Sequence, residues 1–285
     1  SGSKLTADGG KGDATIDFSG ANLAHADVSD SKLTTDGSYG AMIDFTAANL
    51  ADADLSGSEF TASGYDEAYI YFNEANLANA DLSGSKLTAD GGKGDATIDF
   101  TEANLTSAIL SGSEITANAG DDATIDLTAA NLADADLSGS EITANAGSYG
   151  DATIDFTAAN LANANLSGSK ITADSNYYDA TIDFTKANLA NTDLSGSKLT
   201  ANARYLYGAA TIDFTEATLD NADTSGSTLT ADSVIGLPPL PPAPPSPPSS
   251  PPPACADWCN KPKYSNNPKK CTWTNCLGCS ECTSE

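Results

Sequence analysis

The chain of 285 residues is long enough for two domains, yet it carries 39 Asp and Glu against 13 Lys and Arg, a net charge of −26. After residue 237 four lysines outnumber three acids, so the acidic excess rests wholly on residues 1–237. Such a surface repels nucleic acid and anionic membranes and attracts cations or basic partners. No apolar run approaches the ~20 residues of a membrane-spanning helix, so neither a nucleic-acid partner nor a membrane span is expected.

The chain opens on Ser1-Gly-Ser-Lys-Leu5, the end of a repeating unit, which suggests a segment upstream. The repeat is clearest at residues 154–173, IDFTA-ANLAN-ANLSG-SKITA. These four blocks of five are centred on Phe156, Leu161, Leu166 and Ile171. Two places before each centre stands a mostly small residue, Ile154, Ala159, Ala164 or Ser169. Directly before it stands a polar one, Asp155, Asn160, Asn165 or Lys170. Neither the helical nor the strand period produces this. A period of five does, if each block is one side of a square coil. The centre and the small residue then point inward, and the other three face water.

ANLAN, ANLSG and the ADLSG of Ala53–Gly57 resemble the A(D/N)Lxx motif of the pentapeptide-repeat family, over about residues 1–235. The resemblance implies an all-β fold, a right-handed quadrilateral β-helix with four blocks per coil. It implies no single activity, since some members mimic DNA and inhibit topoisomerases.

A longer repeat overlies the blocks. Ile-Asp-Phe or a variant begins at residues 16, 43, 70, 98, 125, 154, 182 and 212, at spacings of 27 to 30. A twenty-residue coil leaves 7 to 10 residues over, always after the fourth block. Several excursions are nearly mirrored about glycine, as in TAD-GGKG-DAT, which predicts one short hairpin per coil. Sharing one corner, they should stack into a fin. About eight coils at strand spacing give a rod roughly 40 Å long, over residues 1–237. The last coil has Thr224 in place of an inward Leu, and Ser233–Leu237 is expected to cover part of that end. Nothing comparable guards the start, and an uncapped solenoid edge pairs with other chains.

Residues 238–254 form a proline-rich segment that must be extended polyproline II, about 50 Å long. Its SPP strings resemble those of hydroxyproline-rich extracellular glycoproteins of plants and algae. That resemblance implies hydroxylation and O-glycosylation among Pro238, Pro239, Pro241, Pro242, Pro244, Pro245, Pro247, Pro248, Pro251, Pro252, Pro253, Ser246, Ser249 and Ser250. Residues 255–285 hold Cys255, Cys259, Cys271, Cys276, Cys279 and Cys282. A module this small needs cross-links or metal to fold. A zinc or iron–sulfur site is one reading. The even count, close spacing and extracellular-looking linker favour three disulfides. Trp258, Trp273 and Tyr264 serve either as the module's small core or as a sugar-stacking face.

On the rod, Asp17, Asp44, Asp99, Asp126, Asp155, Asp183 and Asp213 take the same outward position in successive coils. Stacked carboxylates repel, or recruit cations. A Ca²⁺ column competes with a plain solvated face. GGKGDATID at Gly9–Asp17 and Gly91–Asp99 looks like the calcium-binding nonapeptide GGxGxDxUx, but with its Asp one place early. The flat Thr-x-Asp-x-Thr face also suits ice binding, against which Met42, Tyr69 and Tyr71 interrupt the ladder. An opposing Asn column (Asn22, Asn49, Asn76, Asn131, Asn160, Asn188) reads as a register-fixing amide ladder. Asn104-Leu-Thr106 and Asn165-Leu-Ser167 are N-glycosylation sequons. His25 is the only histidine, at an exposed corner, and the repeat breaks at Met42, Tyr71, Ile109 and Arg204 are scattered, so no enzyme is expected.

The function expected is therefore that of a secreted structural protein. It would assemble head-to-tail with itself into an extracellular fibre, coat or matrix and carry covalent glycans. Ser1, Leu5, Leu229, Val234 and Ile235 would stand at the contacts. The rival is an acidic solenoid binding protein: a DNA mimic, a calcium binder or an ice binder.

Overall fold

The computed structural model describes residues 1–205 and 208–237, which fall in one compact unit, Ser1–Leu237. The readings of the proline segment and of the six-cysteine module lie outside the described residues.

The rod is an all-β, four-sided parallel solenoid. Nine strands from Lys4–Asp8 to Thr228–Thr230 form one sheet, and nine from Ala14–Asp17 to Ser233–Ile235 form a second. Two further columns of single bridges run from Asn22 to Thr218 and from Asp27 to Asp223. In chain order the Ile-Asp-Phe blocks make face one, the Asn22 and Asp27 columns faces two and three, and the Lys4 strands face four. Like residues stack on like: Thr153, Ile154 and Asp155 lie over Thr181, Ile182 and Asp183.

Each block is straight for three residues and then turns. Leu161 O accepts the N–H of Ala164 at 2.9 Å around Asn163, whose φ is 60°. A positive φ at the third residue is that of a type II turn. Along the axis, Asn160 donates its N–H to Ala130 of one neighbouring coil, and Leu161 donates to Asn188 of the other. Gly, Asn and Asp recur at these corners because they tolerate this conformation. Ala47, Ala129 and Ala158 occupy it too, at φ 54° to 57°.

The inward positions are those read from the blocks. Phe156, Leu161, Leu166 and Ile171 are buried, and so are Ile154, Ala159, Ala164 and Ser169. Face-one rings stack nearly parallel along the axis, with centroids 4.9 Å apart for Phe45–Phe72 and 4.7 Å for Phe156–Phe184. Phe60 meets Phe45 and Phe72 edge-on from face four.

The excursions differ from expectation. Their two arms belong to different sheets, and each pairs with the equivalent arm of the next coil, so they are not hairpins. The reason is burial. Each arm alternates, with Ala144, Ala173 and Ala201 buried on one side and Ala152, Ala180 and Ala210 on the other. Backbone groups therefore point along the axis, where coils 27 to 30 residues away supply partners. Near the tips the arms converge so closely that a Cβ on Gly37, Gly64 or Gly91 would collide with the opposite arm's carbonyl.

Two substitutions test this architecture by thermal unfolding. Leu161→Asp puts an unpaired carboxylate into the core and should cost on the order of 4 kcal/mol. Ala158→Gly should instead raise the midpoint, gaining about 0.5–1 kcal/mol, because relief of a left-handed alanine exceeds the entropy of glycine. A lowered midpoint for Ala158→Gly would contradict the corner geometry.

Candidate functional site

The outward side chains form columns, and each column solves its own electrostatic problem. On face one, Oδ1 of Asp17, Asp44, Asp99, Asp126, Asp155, Asp183 and Asp213 accepts the N–H two residues on, at 2.7 or 2.8 Å. Hydrogen bonds from Ser19, side chain first, hold the Asp17 carboxyl below its ordinary range. Tyr71 interrupts the column between Asp44 and Asp99, as read, and Tyr69 stacks on it at 5.4 Å. Burial, reinforced by Asp99 and Asp44, pushes the Tyr71 hydroxyl up to about 12. Among the described residues no three His, Cys, Asp or Glu side chains come together as a metal cluster.

Face two carries the amide ladder. Nδ2 of Asn49, Asn76 and Asn104 donates to Oδ1 of the Asn one coil back, at 3.0 to 3.2 Å. Asn160 and Asn188 continue it at 3.0 Å. Thr106 bridges the one irregular step, donating to Asn104 and accepting from Asn131. Chain order makes this face adjacent to the Asp column and not opposite it. The opposite face is three, where Asp27, Asp54, Asp81, Asp136, Asp193 and Asp223 form a second acidic column broken by Ile109 and Asn165. Serine hydrogen bonds hold the Asp27 and Asp223 carboxyls below their ordinary range.

Face four mixes the signs, pairing Lys32 with Glu59 at 2.7 Å and Lys86 with Glu114 at 3.1 Å, while Lys4 stacks on Lys32, Glu114 on Glu141 and Lys170 on Lys198. A further ladder occupies the corner between faces two and three, where Asn79 donates to Asp52 and Asn163 to Asp134, both at 3.1 Å. His25 starts this corner, its Nδ1 3.6 Å from Asp52. The second acidic column and the corner ladder escaped the sequence reading. The signal for both was the recurrence of Asp at the polar position of the third block and of Asn or Asp two places after the second centre.

The two sequons differ in setting. Asn104 lies inside the amide ladder, its Nδ2 already donating. Asn165 lies on face three and uses Oδ1 to accept from Ser167 N and Oγ, at 3.0 and 2.7 Å.

At the fin tips Oδ1 of Asp122, Asp151 and Asp179 accepts the N–H of Asp151, Asp179 and Ala209 of the next coil, at 2.8 to 2.9 Å. Tyr39, Tyr65, Tyr149, Tyr177, Tyr178 and Tyr205 are exposed there. Among the described residues no further full coil covers either end of the rod. Ser233–Ile235 extends only face one, and leaves Val234, Ile235 and Leu237 exposed. In the coil beneath, Thr224 is exposed and Leu219 and Leu229 are half-buried. At the first described coil Leu5 is 44% exposed, and an apolar recess of about 230 Å³ is lined by Leu5, Phe18, Leu23 and Val28.

No family model and no curated protein matches the chain. Solved structures similar to it include a pentapeptide repeat protein from the Arabidopsis thaliana thylakoid lumen. It is 26% identical over 48% of this chain and 70% of that one, with a TM-score of 0.21. Full-length QnrB1, a plasmid-mediated fluoroquinolone resistance protein, is 15% identical over 79% and 93%, TM-score 0.27. HetL, a pentapeptide repeat protein involved in heterocyst differentiation regulation from the cyanobacterium Nostoc, is 19% identical over 73% and 87%, TM-score 0.17. At these scores the fold assignment rests on the strand registers described above.

Two neighbouring positions separate ladder from solvated column. Asn160→Asp removes the donor to Asn131 and adds a charge, and should cost about 1–2 kcal/mol. Asp155→Asn keeps the acceptor for Thr157 N and should stay within about 0.5 kcal/mol of the parent. Equal losses of thermal stability would mean that the two columns do the same work.

Proposed function

We propose that the protein is a secreted structural protein, without enzymatic activity, that stacks head-to-tail into an extracellular fibre, coat or matrix. The observation that carries this reading is the open end above Leu219, Thr224 and Leu229. Faces two and three end there without a covering strand among the described residues, and Val234, Ile235 and Leu237 stand exposed beside them. An unpaired parallel edge templates a further strand of the same polarity. The edge around Leu5 has that polarity and an apolar recess beside it. A contact between unlike ends does not close on itself, and so propagates.

The side columns support a scaffold role. Their carboxylates and amides are spent on backbone N–H groups and on neighbouring coils. The charge of −26 sets a condition, since each added rod meets a like-charged one. Assembly should therefore strengthen as salt rises from low to physiological ionic strength and the screening length shrinks to about 8 Å. The proline segment would carry glycans and the cysteine module disulfides. Of the sequons, Asn165 is the one whose amide stands outside the Asn ladder.

Light scattering and negative-stain imaging of the full chain, across a salt series, test the proposal. Fibres of the rod's width are expected, lost on Val234→Asp with Ile235→Asp. A monodisperse monomer at high concentration and physiological salt would overturn the assembly.

A further inference from the structure

The fin carries two aromatic spots with different fillings. At the earlier one, Lys93 Nζ lies 4.8 Å from the centre of the Tyr65 ring, a cation over a π face supplied by the next excursion. At the later one, Ser148, Tyr149, Tyr177 and Tyr178 line an open groove of about 520 Å³ across two successive tips. Tyr177 is backed by Tyr205, whose ring stacks on it at 4.6 Å and 11°. Tyr149 is 77% exposed. Arg204 does not line the groove and is bound to Asp174 through Nε at 2.9 Å and through its terminal nitrogen. The tips here carry Asp151 and Asp179, each using Oδ1 on a backbone N–H and both exposed.

We infer that the Tyr149–Tyr177–Tyr178 groove is a docking site for a lysine- or arginine-rich segment of another polypeptide. Three arguments converge on that chemistry. The ring face is the negative end of the aromatic quadrupole and attracts a cation within about 6 Å. The Tyr65–Lys93 pair shows the same fin using this contact. The field of a chain with net charge −26 concentrates basic partners and repels acidic ones, while a neutral ligand gains nothing from it. Ring stacking holds Tyr177 in place before binding, so less side-chain freedom is lost when a cation arrives.

The test is titration of the full chain with a synthetic octalysine peptide at low and at physiological salt, followed by tyrosine fluorescence or calorimetry. Replacing both rings, Tyr149→Ser with Tyr177→Ser, should weaken binding about tenfold. Tyr39→Ser, at a distant tip, should change it less than about twofold, and Tyr149→Phe with Tyr177→Phe should retain it. Affinity should fall as salt rises. Octalysine that binds the double serine variant as tightly as the parent would reduce the attraction to diffuse charge and overturn the site. A neutral oligosaccharide that binds through the same tyrosines, in place of the peptide and without salt dependence, would overturn it as well.

Discussion

The N–H groups of the polar and central residues of each block point along the rod axis, in opposite directions, and the rest of the molecule follows from satisfying them. Asn160 donates one way and Leu161 the other, so a coil is complete only when it lies between two others in register. An unpaired buried amide costs on the order of 1–3 kcal/mol. Slipping one coil would break many such bonds together. That cost aligns the coils, and alignment turns each sequence position into a column.

Columns are the second-order consequence. Stacking like on like suits Phe, which gains offset ring contacts, and Asn, which both donates and accepts along the axis. It is unfavourable for Asp, yet two Asp columns persist. Each carboxylate there accepts its own strand's N–H and remains in contact with water, so the repulsion between coils acts through solvent. Face four eases the problem by mixing signs, with ion pairs exposed enough that each adds little stability. The amide ladders thus fix register more than the charges do.

The excursions escape the column rule at their tips alone. Their arms are held by the same axial pairing and by buried alanines, which makes the fin an extension of two sheets. Beyond Gly37, Gly64 and Gly91 the excursions differ from one another, and most of the exposed tyrosines, with Lys93 and Arg204, stand there. Variable loops on a rigid scaffold are where recognition is usually built.

The sequence by itself determined the block of five, its inward pair, the break at Tyr71, the amide ladder and the weak last coil, because a strict local period admits one way of hiding Leu and Phe. It did not determine the excursions. TAD-GGKG-DAT satisfies a hairpin locally, and the partners that win lie 27 to 30 residues away, where each arm buries its alanines and finds an in-register mate. The Asn column beside the first Asp column, with a second acidic column opposite, was by contrast legible in the sequence, because consecutive blocks of a square coil occupy adjacent faces. The groove of Tyr149, Tyr177 and Tyr178 belongs with the excursions. Its residues sit in separate repeats, and only axial stacking of the coils brings them side by side.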